Sequence, residues 1–269
     1  MKSAFPWPGG KSWAAKYIVP KIPPHACYCE PFAGGVAILL AKEPSPVEII
    51  NDINSDVVNF YRCVRFHPDE LIKEIQWILS SRREFIDLKE HRGLTDIQRA
   101  ASWFRIQIMS FGGDGRTYAV GRLPVGTNRS RHRLIERIEA LNERLDRVNV
   151  EQLDWERCIR LYDGSTTFFF LDPPYLGDSV SSYNAWTIDD LKKLRSVLDS
   201  TQGKWLLTMN DASDVRSVFK DCALKKFTRV RGIRNNLGVM TEYAELLICP
   251  GARIQSARLQ RGSEPSERS

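Results

Sequence analysis

The sequence predicts an α/β protein whose sheet is assembled from both ends of the chain, with a mostly helical, arginine-rich segment inserted between the halves. Three observations carry this. Two short apolar-rich runs, at 26–33 and 47–53, flank a Gly-Gly turn, the pattern of a strand–helix–strand unit. A continuous apolar run, Thr166-Thr167-Phe168-Phe169-Phe170-Leu171, stops abruptly at Asp172, as a central strand covered on both faces does. Between these regions, apolar residues recur at helical spacing.

In chain order, the first strand is Ala26 to Ala33, Val36 to Lys42 reads as a helix after the Gly34-Gly35 turn, and Val47 to Ile53 is the second strand. Val58, Tyr61, Cys63 and Val64 suit one amphipathic helix. Leu71, Ile75, Ile78 and Leu79 suit another, and Ile97 to Met109 is a third. Phe111-Gly112-Gly113-Asp114-Gly115-Arg116-Thr117-Tyr118 has the glycine density of a loop or hairpin tip. Arg133 to Arg147 is helical, with Leu134, Ile138, Leu141 and Leu145 on one face. After the Phe-rich strand come a helix near Ile188–Leu198, a strand at Trp205–Thr208, a short helix at Val215–Phe219, and strands near Leu224–Val230 and Tyr243–Ile248. Residues 251–269 are rich in Arg, Ser and Glu and poor in apolar side chains, so a flexible tail is expected there.

A chain of 269 residues with 42% apolar content can bury one sizeable core. The formal charge of +6 leans towards a polyanionic partner, and its placement sharpens this. From Arg105 to Arg133 the only acid is Asp114, against Arg105, Arg116, Arg122, Arg129, Arg131 and Arg133. Arginine presents a planar fork that suits phosphates and guanine edges. The six cysteines (27, 29, 63, 158, 222 and 249) form no C-x-x-C pair and do not cluster with the histidines, so no metal site is expected and the thiols read as reduced. No signal-like or membrane-spanning run is present, and a cytoplasmic protein, favoured as a monomer, is expected.

The chemistry concentrates in four short motifs. Asp172-Pro173-Pro174-Tyr175 follows a buried strand and so lies at the carboxyl edge of the sheet, where open α/β folds bind ligands. Two prolines fix two φ angles and remove two backbone donors, leaving a rigid turn rich in acceptors. Such a turn suits an amino group with two hydrogens to give, as on adenine. Asp172 accepts one and the Pro173 carbonyl the other, which draws the nitrogen towards tetrahedral geometry, while Tyr175 offers a face for stacking. Glu30-Pro31-Phe32-Ala33-Gly34-Gly35 is a strand-to-helix turn where glycine lets backbone approach a small ligand. No G-x-G-x-x-G or Walker motif is present. Asn51-Asp52-Ile53-Asn54 closes the second strand, where Asp52 can accept from ribose hydroxyls or cap the next helix. Phe5-Pro6-Trp7-Pro8-Gly9-Gly10-Lys11 combines an aromatic ring, a turn and a cation.

The ordered set P-W-P-G-G-K, E-P-F-A-G-G, I-N-D-I-N and L-D-P-P-Y resembles the Dam family of DNA adenine-N6 methyltransferases, over residues 5–250. Gln107-Ile108-Met109-Ser110-Phe111-Gly112-Gly113 is similar to a Q-x-x-S-F-G-G segment of its phage and bacterial branches. The resemblance implies a Rossmann-like S-adenosylmethionine-dependent methyltransferase sheet with helices on both faces. It implies a catalytic domain from 1–56 and 158–250 and a helical target-recognition insert at 57–157. The implied partners are S-adenosylmethionine and double-stranded DNA, with transfer to N6 of a flipped adenine, sometimes as part of restriction–modification. Asp172, Pro173, Pro174 and Tyr175 are the implied catalytic residues. Trp7, Lys11, Glu30, Pro31, Phe32, Gly34, Gly35, Asp52 and Asp172 are the implied cofactor contacts, with Lys11 meeting a carboxylate. DNA contacts are expected from Phe111, Arg105, Arg116, Arg122, Arg129 and Arg131. Two departures stand out: many members carry glycine where this chain has Val36, and Ile108 replaces an arginine found in relatives with an N-R pair. Cytosine-N4 enzymes more often carry S-P-P-Y, and protein-glutamine and RNA enzymes N-P-P-Y. A catalytically silent DNA-binding relative is the reading from a different class.

Overall fold

The computed structural model describes residues 3–77, 81–119, 130–177, 186–234 and 240–251. The described elements are α1 (Ala15–Ile18), β1 (Cys27–Glu30), β2 (Val47–Asn51), α2 (Ser55–Phe66), α3 (Pro68–Ile75), α4 (Arg82–Glu90), α5 (Asp96–Met109), α6 (Arg131–Leu145), β3 (Val148–Glu151), α7 (Trp155–Tyr162), β4 (Thr167–Leu171), α8 (Ile188–Ser200), β5 (Lys204–Asn210), α9 (Ser213–Val218), β6 (Ala223–Arg234) and β7 (Met240–Cys249). The strands form one sheet in the order β3-β2-β1-β4-β5-β7-β6. The first five run parallel to their neighbours; β7 pairs antiparallel with both β5 and β6. The chain steps outward from β1 to β2 and β3, then returns to β4 on the other side of β1. That reversal opens a crevice at the carboxyl ends of β1 and β4.

Side-chain alternation explains why both faces of the sheet are covered. On β4 every residue is buried. Phe168 and Phe170 enter one core with Tyr28, Ile50 and Leu206, packed against Phe60 of α2, Phe104 of α5 and Leu141 of α6. Phe169 and Leu171 enter the other with Cys29, Ile49 and Leu207, packed against Ile159 of α7, Leu194 of α8 and Val215 of α9. Period-2 alternation sends successive residues to opposite faces, so an unbroken apolar run is what a strand covered on both sides requires. The six cysteines are free thiols.

One expectation is corrected. Val36 to Lys42 is not a helix; it makes turns, with single bonds such as Leu40 N–H to the Val36 carbonyl and Lys42 N–H to that of Ile38 (both 3.0 Å). Val36 holds a left-handed φ of 45° at one end and Pro44 restricts the other, leaving too few residues for a helix to propagate. In residues 148–157, β3 pairs with β2 at the sheet edge and Trp155 opens α7 against the second core. Helices α2, α3, α5 and α6 share one core with Phe5, Tyr28 and Phe168, and Phe85 of α4 packs with Ile106 and Met109 in a small cluster of its own.

A buried ion cluster joins that helical segment to the sheet. Glu48 on β2 accepts from Lys42 Nζ (2.5 Å) and from Arg144 of α6 (2.5 and 2.9 Å), and Arg144 also donates to the Leu39 carbonyl (3.0 Å). Although burial pushes the Glu48 carboxyl up, the hydrogen bonds from Arg144 and Lys42 outweigh it and hold it below the usual range.

Candidate active site

Every residue expected at the cofactor or the catalytic turn borders one cavity of about 300 Å³ at the carboxyl ends of β1, β2 and β4. Trp7 and Lys11 reach it from the N-terminal loop, Glu30, Pro31, Phe32, Gly34 and Gly35 from the turn after β1, Asp52 from the end of β2, and Asp172, Pro173, Pro174 and Tyr175 from the turn after β4.

The turn after β1 is braced from several sides. Gly34 N–H donates to Asp52 Oδ2 (2.9 Å), and its carbonyl accepts from the buried Tyr61 hydroxyl (2.6 Å). Gly34 has φ +44°, and a Cβ there would lie 2.6 Å from Trp7 Nε1, so glycine is required both by conformation and by the indole packed on it. Val36 adopts the same left-handed region without glycine's freedom, and its side chain is buried in the core. A β-branched residue there carries strain of about 1–3 kcal/mol that the packing offsets. The substitution noted from the sequence therefore preserves the shape of the turn at an energetic cost.

Asp52 is not the cap of α2. Its Oδ1 accepts from Asn54 N–H (2.9 Å), but the cap of α2 is Asn54, whose own side chain accepts from Asp56 N–H (2.9 Å). Asp52 thus ties β2 to the turn after β1 while lining the cavity. Glu30 is buried, accepting from Tyr28 hydroxyl (2.7 Å) and Leu39 N–H (2.8 Å). Burial pushes its carboxyl up to about 7, opposed by those two bonds and by Lys42, with the Asp172 charge adding to the rise.

In the turn after β4, Asp172 Oδ1 accepts from Lys11 Nζ (2.7 Å) and from the hydroxyl of Thr208 on β5 (2.7 Å). Lys11 also donates to the Gly9 carbonyl (2.6 Å), lies 3.9 Å from Glu245 on β7, and sits 4.9 Å from the centre of the Tyr175 ring. The buried ammonium is thus engaged by a carboxylate of the chain itself. Burial, followed by the charges of Asp172 and Glu245, holds the Tyr175 hydroxyl well above its usual range, so it stays neutral.

Sequence reasoning missed three contributors. Trp155 and Trp186 line the cavity with Phe32, the ring centroids 5.6 to 6.2 Å apart and the Phe32–Trp155 pair nearly parallel at 29°. Thr208 is fully buried beneath Asp172. None of the four sequence motifs contains them.

The comparisons with known proteins meet this geometry. The family model of the D12 class N6 adenine-specific DNA methyltransferases matches residues 7–234. The chain belongs to that family. A D12 enzyme transfers a methyl group to N6 of adenine in DNA, and the sheet order and cavity fit that class. Relatives include Type II methyltransferase M1.LlaDCHI of Lactococcus lactis subsp. cremoris, 27% identical over 88% of this chain and 92% of that protein. DNA adenine methylase of Vibrio cholerae is 23% identical over 90% of this chain and 93% of its own length. The DNA N-6-adenine-methyltransferase of Escherichia phage P1 is 24% identical over 83% of this chain, which spans 32% of that protein.

Residues 110–118 form a short hairpin: Ser110 bridges Tyr118, and Phe111 N–H donates to the Thr117 carbonyl (2.8 Å). Gly113 (φ +76°) presses directly on the Pro6 carbonyl, so the tip rests on the backbone that leads into Trp7. Phe111 stands out from it, 55% exposed. Arg116 is on the same tip, its backbone N–H donating to Asp114 (2.9 Å). Arg131 and Arg133 are exposed at the start of α6, with Arg131 stacked over Trp77 (4.4 Å). The Arg105 side chain is largely buried and paired with Glu84 of α4. Arg122 and Arg129 lie outside the described residues, as does the expected tail from 252. No group of metal-ligating side chains occurs among the described residues, and none of the described helices is long and apolar enough to cross a membrane.

Proposed function

We propose that this D12 enzyme methylates N6 of a single adenine rotated out of duplex DNA, using S-adenosylmethionine, with Asp172 as the catalytic residue. The observation that carries this reading is the Asp172 carboxylate, held through one oxygen and lining a cavity shared with the Glu30–Gly35 turn and Asp52. The cavity suits the cofactor: aromatic Phe32, Trp155 and Trp186 match a purine ring, and Asp52 matches ribose hydroxyls. Bound there, S-adenosylmethionine supplies an electrophilic methyl group on a cationic sulfur.

The chain's own residues do the rest. Asp172 accepts one hydrogen of the adenine amino group, and the Pro173 carbonyl accepts the other. Two acceptors in a fixed turn pull the nitrogen lone pair out of conjugation with the ring. The neutral Tyr175 ring offers a stacking face for the extruded base. Positioning and preorganised hydrogen bonds supply the rate, with no covalent intermediate on the enzyme. Phe111 and Arg116 on the tip, with Arg131 at the start of α6, face the opened duplex and its phosphates.

Methylation-aware sequencing of DNA from cells expressing the chain tests this and reads out target base and sequence together. N6-methyladenine at one recurring sequence is expected, and its disappearance in Asp172→Ala. Modification at cytosine N4, or an Asp172→Ala variant that methylates like the wild type, refutes the reading.

A further inference from the structure

We propose that Thr208 is a positioning residue for the methyl transfer, fixing which oxygen of Asp172 meets the adenine amino group. The inference rests on the reading of Asp172 as the acceptor of that amino group, and it begins with an anomaly in β5. The strand reads Lys204-Trp205-Leu206-Leu207-Thr208-Met209-Asn210, and Thr208 is the one polar residue inside an otherwise apolar buried run. A hydroxyl with no access to water must find a partner within the protein or leave a donor unsatisfied. The register of the sheet decides which partner is near. Leu207 pairs with Leu171, so Thr208 comes level with the first residue beyond β4, which is Asp172. Its Oγ1 reaches Asp172 Oδ1 at 2.7 Å, while the Leu171 carbonyl is further off at 3.3 Å.

Lys11 Nζ converges on the same oxygen, also at 2.7 Å. Asp172 Oδ1 therefore carries two donors, and Oδ2 has none among the described residues. Two donors on one oxygen restrain the carboxylate about its terminal torsion, which leaves Oδ2 to accept from the substrate. The two donors differ in rigidity. Lys11 stands on a loop and reaches through a flexible stem. Thr208 has a single stiff χ1 and is clamped by β4 on one side and, through its pairing with Leu247, by β7 on the other. The sheet thus sets the orientation through Thr208, whereas Lys11 supplies the charge.

The test compares Thr208→Val, which keeps the shape and removes the hydroxyl, with Thr208→Ser, which keeps the hydroxyl. Both are made in the full chain, with tritiated methyl transfer to duplex DNA carrying the target sequence and calorimetry for S-adenosylmethionine. A hydrogen bond to a charged group corresponds to roughly a 10- to 100-fold effect. Thr208→Val is expected to lower kcat by that factor while KM for DNA and the cofactor Kd stay within about twofold, and Thr208→Ser is expected to stay within about threefold of wild type. A Thr208→Val enzyme with wild-type kcat overturns the proposal. So does an equal loss in Val and Ser variants accompanied by weakened cofactor binding, which marks a purely structural residue. If valine prevents folding, Thr208→Ala against Thr208→Ser carries the same comparison. The parent reading is tested separately: a wild-type enzyme that transfers no methyl to adenine overturns both, whereas active wild type, inactive Asp172→Ala and unaffected Thr208→Val overturn only the role of Thr208.

Discussion

Replacing Trp155 with alanine probes the aromatic end of the cavity. The indole opens α7, stacks nearly parallel to Phe32 at 6.2 Å, meets Trp186 at 5.9 Å, and lies under Lys193 Nζ at 5.5 Å. If the three rings hold the purine of S-adenosylmethionine, alanine removes one stacking face. A base stacked on an aromatic side chain is worth about 1–3 kcal/mol. At about 1.4 kcal/mol per tenfold, that is roughly a 5- to 150-fold rise in Kd. None of the ring contacts of Trp155 is with Asp172, Lys11 or Thr208, so kcat at saturating cofactor should change little. Calorimetric titration with S-adenosylmethionine measures the first quantity and methyl transfer at saturation the second. Trp155→Phe, which keeps a ring, should bind within about threefold of wild type. A Trp155→Ala Kd within twofold of wild type would refute the assignment, and an equal loss in Ala and Phe variants would show that the site reads the indole rather than a stacking face.

Three further outcomes follow from the geometry. Glu48→Gln leaves Lys42 and Arg144 buried without their counter-charge and should cost about 3–5 kcal/mol in urea unfolding, whereas replacing all three (Lys42→Met, Glu48→Leu, Arg144→Met) should recover most of it. Because the folded-state pKa of Glu48 is depressed, its contribution is present above the unfolded value and lost as pH falls, so the wild-type advantage should shrink on acidification. Glu30 has the opposite sign. Its folded pKa of about 7 lies above the ordinary 4.5, so its contribution is full below 4.5 and lost as pH rises through 7. That gap corresponds to about 3 kcal/mol, so Glu30→Gln should gain stability relative to wild type between pH 5 and 8, and a flat difference would show that the carboxyl is not isolated from water. Gly113→Ala places a methyl group against the Pro6 carbonyl at φ +76°. It should cost at least about 1 kcal/mol and weaken S-adenosylmethionine binding through the shifted Trp7, and unchanged unfolding and affinity would show that the tip does not bear on the N-terminal loop.

Much of the molecule was legible without coordinates because its signals are local. The unbroken run ending at Leu171 demanded a strand covered on both faces, and amphipathic spacing placed α2, α3, α5 and α6. Four short motifs announced a site at one edge of the sheet, since each closes a strand or precedes a turn. What tertiary structure decided is non-local. Lys11 and Asp172 lie far apart in sequence, and nothing near either one indicates that they meet. Thr208 gains its partner only through the β4–β5 register. Trp155 and Trp186 join Phe32 only because α7 and the segment before α8 return to the same crevice. The same holds for Arg105, whose charge looked available until α4 brought Glu84 beside it, and for β3, whose four residues carry too little pattern to read as a strand until β2 pairs with them. Periodicity reports which face of an element is buried; which side chains share a pocket depends on how the chain crosses the sheet.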